Sequence, residues 1–453
     1  MRARLLSAVA STIDGRLAGN DVEVTSVVVD SRKASAGALF FALPGERTDG
    51  HAFIRDAFAR GAAAAVVRDP AGASGSAVVV DDVGEALLRL AADERAAQAA
   101  KLVGITGSTG KTSTKDLAAA VLAMRFGVEA AAGSYNNEIG LPLTILGATG
   151  DVEVIVAEMG SRGIGHIARL ADVARPDVGV VTTIGVAHMG MFGSREAIAE
   201  AKAELIRALP DDGVAVLPQE DPAARGFAHL TGARVVTFGR SPDAAVRGED
   251  VILDERGRGT FTLVVGDLRE RVELAVPGDH MVTNALAAAA TGVALGVSAA
   301  ECAAALKGAR ISPSRMETFT TADGVEVVND AYNANPESMA AGLKAARWMA
   351  RGRRMIVVLG HMAELGPISF EEHERIGELL ARIGVEHLVT VGEEAEDIAR
   401  AAVREGVEPE NVTTCPTAEE ALGAVRARAR PGDLVFLKAS RIAGLERIAE
   451  AMR

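Results

Sequence analysis

Short apolar, β-branched runs alternate with longer stretches of helical period over most of this 453-residue chain. "VEVIVAEMG" and "VGVVTTIG" are apolar at nearly every position, as strands buried on both faces of a parallel sheet are. "DLAAAVLAM", "SREAIAEAKAELIRAL" and "HMVTNALAAAATGVALG" read as helices, with Ser194 the expected N-cap of the second. "GRGTFTLVVGDLRERVELAVPG" alternates more regularly and predicts an antiparallel addition at the sheet edge. Further on, "VEVVNDAY", "RMIVVLG", "EHLVTVG" and "DLVFLKAS" read as strands between helices such as "EEHERIGELLARIG" and "EEALGAVRARA". That is a second doubly wound α/β pattern. Ahead of both, "VEVTSVVVDS", "ALFFALPG", "AAAAVV" and "SAVVVDD" predict strands, and "EALLRLAADERAAQAA" a helix leading out of the region. "MRARLLSAVASTIDGRLAG" reads as a first helix, because its apolar patch is too short for a signal peptide.

These patterns predict an α/β protein of three domains. Residues 1–98 form the first. Residues 99–311 form a central P-loop domain, a parallel sheet with the antiparallel addition. Residues 312–453 form a C-terminal Rossmann-like domain, entered through the polar "SPSRM". A length near 450 residues suits three units of ~150. The chain is 49% apolar, enough for packed cores, and no long uncharged apolar run predicts a membrane span. Net charge is −13 without a basic block, which argues against a nucleic-acid partner. Cys302 and Cys415 lack metal spacing and read as small core residues of a reducing cytoplasm.

Chemistry concentrates at a few places. "GITGSTGKTSTK" lies between a strand and a helix. Such a turn aims backbone N–H groups and a helix N-terminus at an anion. Ile105 stands where a strict Walker glycine would, but the core Gly107, Ser108, Thr109, Gly110, Lys111, Thr112 remains, with Ser113 after it. Lysine there reaches a phosphate and the following threonine holds Mg²⁺, so ATP is the expected ligand. Glu158 ends a buried-type strand, where open α/β sheets place their ligands, and is a candidate Mg²⁺ ligand. His188 follows another such strand. Lys202, taken alone, is a surface lysine on an amphipathic helix. "NDAYNANPESM" crowds Asp330, Tyr332, Asn333 and Asn335 around a strand end. They suit a polar ligand, though an Asx turn also explains asparagines. "SYNNEIGLPLTIL" puts Asn136 and Asn137 before an apolar run and also reads as a helix start.

Together with the early "VVVDSRKASAGALFFALPGERTDGHAF", these residues resemble the Mur ligase family over essentially the whole chain. The resemblance implies an ATP-dependent amide ligase that joins D-alanyl-D-alanine to UDP-N-acetylmuramoyl-tripeptide through an acyl phosphate. It implies two Mg²⁺ ions, a cytoplasmic location and a monomer. Lys111 and the 107–113 loop would hold the ATP phosphates, with Asn284, Arg315 and Asp330 on its other sides. Thr112, Glu158, His188 and Lys202 would serve the metals. Lys202 would carry a CO₂-derived carbamate, an anion that tolerates the metal where an ammonium would not. Lys111, Lys202 and His188 would be the catalytic groups. Ser31 and Arg32 would hold the UDP end of the precursor. Asn136, Asn137, Ser161, Arg162, Tyr332, Asn333 and Asn335 would meet the substrates. His361 in "GHMAELG" stands where the family pattern leads one to expect aspartate. A sister ligase adding the third amino acid and a non-ligase ATP-binding regulator are the alternatives.

Overall fold

The computed structural model describes residues 1–453 except 46–47 and 72–74. Glu46 and Arg47, inside one stretch that carries the resemblance, lie outside the described residues. Three large sheets occupy successive stretches of chain.

The central sheet has nine strands built around Lys101–Thr106. Val154–Glu158 and Val178–Val181 flank it in parallel. Val128–Ala130 extends one side, and Val214–Pro218, Arg234–Gly239 and Val246–Leu253 the other, all parallel. Arg258–Val265 and Leu268–Pro277 then add on antiparallel, as the alternation predicted. The fully apolar strands are buried at every position because helices cover both faces. Helices Lys111–Leu122 and Asp279–Ala294 pack on one face through Leu117, Val121, Leu286 and Ala289. Helices Gly140–Gly147, His166–Ala174 and Arg195–Arg207 lie on the other side, contributing Leu141, Ile145, Ile167, Leu170 and Leu205. Ser194 caps the last of these, accepting from the Ala197 N–H at 3.1 Å.

The first sheet has five strands. Ser26–Val28, Ala38–Phe41, Ala64–Val67 and Ser76–Val79 are parallel, and Arg16–Ala18 closes the edge antiparallel. The third has six. Glu326–Asn329, Leu434–Lys438, Met355–Gly360, His387–Val391 and Val412–Cys415 are parallel, with Glu317–Thr320 antiparallel at the edge. In the central sheet the patterning leaves out the edge strand Val128–Ala130 and the interior strands Val214–Pro218, Arg234–Gly239 and Val246–Leu253. In the other two large sheets it misses Arg16–Ala18, Glu317–Thr320 and Val412–Cys415, all edge strands. An edge strand is half-solvated and needs no continuous apolar run.

The cores run on between the units. Leu87 and Leu90 of the first share a cluster with Leu102 and Ile155 of the central sheet. Leu343 and Val357 of the third share another with Leu286. Cys302 and Cys415 are both buried and free. Among the described residues no helix is long and apolar enough to cross a membrane.

Candidate active site

Three neighbouring strands of the central sheet end at one place. Thr106, Glu158 and Val181 hand the chain to the P-loop, to the segment bearing Ser161 and to Thr182-Thr183. The loop after Thr106 turns tightly. A Cβ at Gly107 (φ +142°) would meet Thr182 Oγ1 at 2.0 Å, and one at Gly110 (φ +80°) would meet Asn284 Oδ1 at 2.4 Å. Only glycine fits either position. Neighbours brace the loop. The Ser108 N–H donates to the Thr183 carbonyl at 2.8 Å, Ser108 Oγ accepts from the Gly185 N–H at 2.9 Å, and the Thr109 and Thr183 hydroxyls lie 3.0 Å apart. Gly110 then starts the helix Lys111–Leu122, so its first N–H groups face the loop's open side. Ser113 is buried in its first turn. Lys111 Nζ curls back to the Gly107 carbonyl at 2.8 Å. Desolvation lowers its pKa, the Glu158 carboxylate opposes this and the Arg315 guanidinium reinforces it.

Glu158 is 1% exposed and holds two partners. Thr112 Oγ1 donates to it at 2.6 Å and Asn136 Nδ2 at 2.8 Å. The Thr112 hydroxyl also lies 2.8 Å from Ser134 Oγ. Arg315, from the third unit, donates to Thr112 Oγ1 at 2.8 Å and to Ser134 Oγ at 2.9 Å. Its Nε is buried without a partner, an unmet donor at the centre of the cluster. Thr112, Asn136, Glu158 and Arg315 are thus brought together. Asn137 instead accepts from the Ile139 and Gly140 N–H groups at 3.2 and 2.9 Å and starts a helix.

Lys202 overturns its reading as a surface lysine. It is 1% exposed, donates to Ser161 Oγ at 2.9 Å and lies over the Phe192 ring at 5.9 Å. Desolvation, helped by the nearby Lys111 charge and opposed by Glu204 and Glu158, lowers its pKa to about 7. The helix period carried this signal, since Lys202 lies four residues after Ile198 and four before Ile206 on the buried side, while Glu196, Glu200 and Arg207 stay exposed. Glu204 on the same helix accepts from the Gly165 and Ala168 N–H groups, at 2.5 and 2.9 Å, where the helix His166–Ala174 begins.

The third unit supplies the opposite wall. His188 (φ +66°) pairs through Nδ1 with the Glu364 carboxylate, and Arg162 lies 3.9 Å from that same carboxylate. Glu364 stands three residues after His361, so this loop still supplies an acid. Glu337 accepts from the Val186 N–H at 2.8 Å, and Gly190 donates to the Glu364 carbonyl at 2.8 Å. Asn335 caps the helix Pro336–Ala350 and reaches the Ser108 carbonyl at 3.5 Å. Tyr332 has the Arg315 guanidinium 4.4 Å and the Arg441 guanidinium 5.5 Å from its ring centre. Asn333 is exposed, and its Oδ1 accepts from the Ala334 N–H at 2.9 Å. Asp330 is tied to the buried Lys438 at 2.6 Å. Ser31 and Arg32 bond within the first unit, to Asp56 at 2.7 Å and Asp30 at 2.8 Å.

Lys438, Ser134, Glu364 and Arg441 were missed from sequence. Lys438 carried the same signal as Glu158, a charged residue ending a buried-type strand. The others sit in loops without a local pattern. Among the described residues no three His, Cys, Asp or Glu side chains gather to hold a metal. One carboxylate and one hydroxyl do meet beside the P-loop. That set fits Mg²⁺, which takes few protein ligands and completes its shell with phosphates and water. A cavity of about 680 Å³ lies elsewhere, and three of its arginines, Arg258, Arg351 and Arg353, are paired with acids.

Three family models match the chain. "Mur ligase family, catalytic domain" covers residues 23–105, "Mur ligase middle domain" 105–292, and "Mur ligase, glutamate ligase domain" 314–441. A Mycobacterium bovis protein named UDP-N-acetylmuramoyl-tripeptide--D-alanyl-D-alanine ligase is 44% identical, over 94% of this chain and 92% of its own. A Bacillus subtilis protein of the same name is 35% identical, over 99% and 98%. Among solved structures, MurF from Acinetobacter baumannii superimposes with a TM-score of 0.86 at 29% identity, over 100% and 99% of the two chains. MurF ligase from Thermotoga maritima in complex with ADP gives 0.80 at 29% identity, over 95% and 97%.

Proposed function

The chain belongs to the Mur ligase family, and we propose that it joins D-alanyl-D-alanine to UDP-N-acetylmuramoyl-tripeptide, with ATP converted to ADP and phosphate. It is an ATP-dependent peptide ligase of peptidoglycan precursor synthesis. One observation carries this: Thr112, Glu158 and Arg315 meet at a P-loop in a chain matched along its length by ligases of that name. We read it as a cytoplasmic monomer without a nucleic-acid partner.

The chemistry follows from the groups present. A carboxylate cannot expel oxide, so it must first be activated as an acyl phosphate, which the dipeptide amine then attacks. Lys111 and the loop N–H groups are placed to hold the phosphates, and Arg315 to meet them from the third unit. Catalysis of that transfer is mostly positioning and charge neutralisation. Thr112 and Glu158 would hold one Mg²⁺, which supplies Lewis acidity when bound. Asn136 orients Glu158, while Asn284 backs the loop at Gly110. Asp330, held by Lys438, and Tyr332 belong to the nucleotide and substrate side of the third unit. In this reading Ser161, Arg162, Asn333 and Asn335 would meet the substrates, and Ser31 and Arg32 would hold the UDP end of the precursor. The third unit lies against the P-loop, which would keep water from the acyl phosphate, a reactive mixed anhydride.

Lys202 is suited to carbamylation. With a pKa of about 7 its amine is largely neutral at physiological pH and therefore nucleophilic. Its nitrogen bonds the carbon of CO₂ and loses a proton to solvent, leaving a carbamate anion. The amine beside Lys111 would then be an anionic oxygen donor that could hold a second Mg²⁺. His188 enters this reading as the partner of Glu364, whose oxygens are the harder donors.

Two experiments test this. Phosphate release must require both UDP-tripeptide and D-alanyl-D-alanine. Release with a UDP-dipeptide and a free amino acid identifies the sister ligase, and release needing neither identifies the regulator. Lys202→Ala must be nearly inactive and partly rescued by a short-chain carboxylic acid with Mg²⁺. Near-wild-type activity in Lys202→Ala sinks the carbamate.

A further inference from the structure

Lys115 and Asp116 have no part in the reading above, yet both ends of its central contact hang on them. They lie three and four residues after Thr112, on the same side of the helix Lys111–Leu122 one turn further on. Lys115 is 2% exposed. Its ammonium donates to the Ala131 carbonyl and to the Gly133 carbonyl at 2.9 Å, and forms an ion pair with Asp116 Oδ1 at 2.8 Å. The buried ammonium is therefore held by two backbone carbonyls and one carboxylate. The other carboxylate oxygen, Asp116 Oδ2, accepts from the Ser312 N–H at 2.7 Å.

These partners are the roots of two segments. Gly133 precedes Ser134, which bonds Thr112 and accepts from Arg315. Ser312 lies three residues before Arg315, where the chain enters the third unit. Ser314 (φ +57°) and Met316 (φ +51°) flank Arg315 with positive backbone angles, so the route from Ser312 to its side chain is a strained turn. A turn of that kind keeps its geometry only while both of its ends are held.

We propose that the Lys115–Asp116 pair is a positioning couple for the ligase reaction. It holds the Gly133–Ser134 loop and the Ser312 linker in one register, so that Arg315 reaches the phosphate side of Thr112. The couple acts through Arg315 and touches no substrate. This inference rests on the ATP-site reading of Thr112 and Arg315. A lysine that merely filled the core would give effects independent of Arg315, whereas a positioning couple loses its effect once Arg315 is gone.

The test is a double-mutant cycle on nucleotide binding, which does not need turnover. The dissociation constant of ADP with Mg²⁺ is measured by calorimetry for wild type, Asp116→Ala, Lys115→Met, Arg315→Ala and the two doubles. Each single change at the couple is expected to weaken binding about tenfold, within the coupling range of contacting residues. In the Arg315→Ala background the same changes are expected to cost under about twofold. Asp116→Asn keeps an acceptor for Ser312 and is expected to bind within about threefold of wild type. Equal losses in both backgrounds overturn the proposal, as does no loss in either single variant. Should Asp116→Ala fail to fold by circular dichroism, the Lys115→Met and Asp116→Asn arms decide alone. Failure of wild type to bind ADP would strike the ATP-site reading instead.

Discussion

Replacing Lys202 by methionine removes a buried charge while keeping most of the side chain's volume. The amine's pKa falls from 10.5 to about 7 on folding. Between those values the unfolded chain binds more protons than the folded one, so stability rises with pH across that window. The cost of the buried charge is fully present below about 7 and gone above 10.5. At ~1.4 kcal/mol per unit, it is about 4 kcal/mol at pH 7 and about 2 kcal/mol at pH 9. Methionine escapes that cost but leaves the Ser161 hydroxyl without its donor, worth about 1 kcal/mol. Lys202→Met should therefore be more stable than wild type by about 3 kcal/mol at pH 7 and about 1 kcal/mol at pH 9. It should also be nearly inactive. The assay is urea unfolding followed by circular dichroism in CO₂-free buffer at both pH values, with ligase turnover measured beside it. A variant less stable than wild type at pH 7, or a stability difference that does not shrink at pH 9, refutes the burial argument. Added bicarbonate should raise wild-type stability at pH 7 to 8, because the carbamate removes the ammonium, and should leave Lys202→Met unchanged.

Lys111→Ala should lower ligation by ~100- to 1,000-fold, the usual loss for one well-placed electrostatic group, and turnover within tenfold of wild type would remove the P-loop assignment. Glu158→Gln should keep its hydrogen bond from Thr112 but need at least about tenfold more Mg²⁺ for half-maximal rate, since a neutral amide binds a hard cation poorly; an unchanged Mg²⁺ titration contradicts its role. Gly366→Ala places a Cβ 2.5 Å from the Gly190 Cα at a φ of +56°. It should hold the third unit off the 186–190 segment and cut kcat/KM by about tenfold or more, with an unaltered circular dichroism spectrum; wild-type turnover shows that this close approach is not needed.

Local physics was readable in the chain by itself. Three parallel-type strands and a glycine-rich turn placed the P-loop and Glu158 at the carboxyl edge of a sheet, because burial on both faces leaves an unbroken apolar run. Ser194 announced its helix because a cap needs only its own next turn. The alternation of residues 258–277 marked the antiparallel addition for the same reason. Tertiary structure decided what no local pattern can hold. Lys202 shares the apolar stripe of Ile198, Leu205 and Ile206, but only the fold brings Ser161 and the Lys111 charge to its amine and shifts its proton equilibrium. Arg315 reaches Thr112 across 203 residues of sequence, and Glu364 reaches His188 across 176. Lys438 finds Asp330 only when two strands of the third sheet, far apart in the chain, lie side by side. Desolvation and charge pairing depend on what stands within a few ångströms in space, whereas periodicity records only what each residue's own element requires.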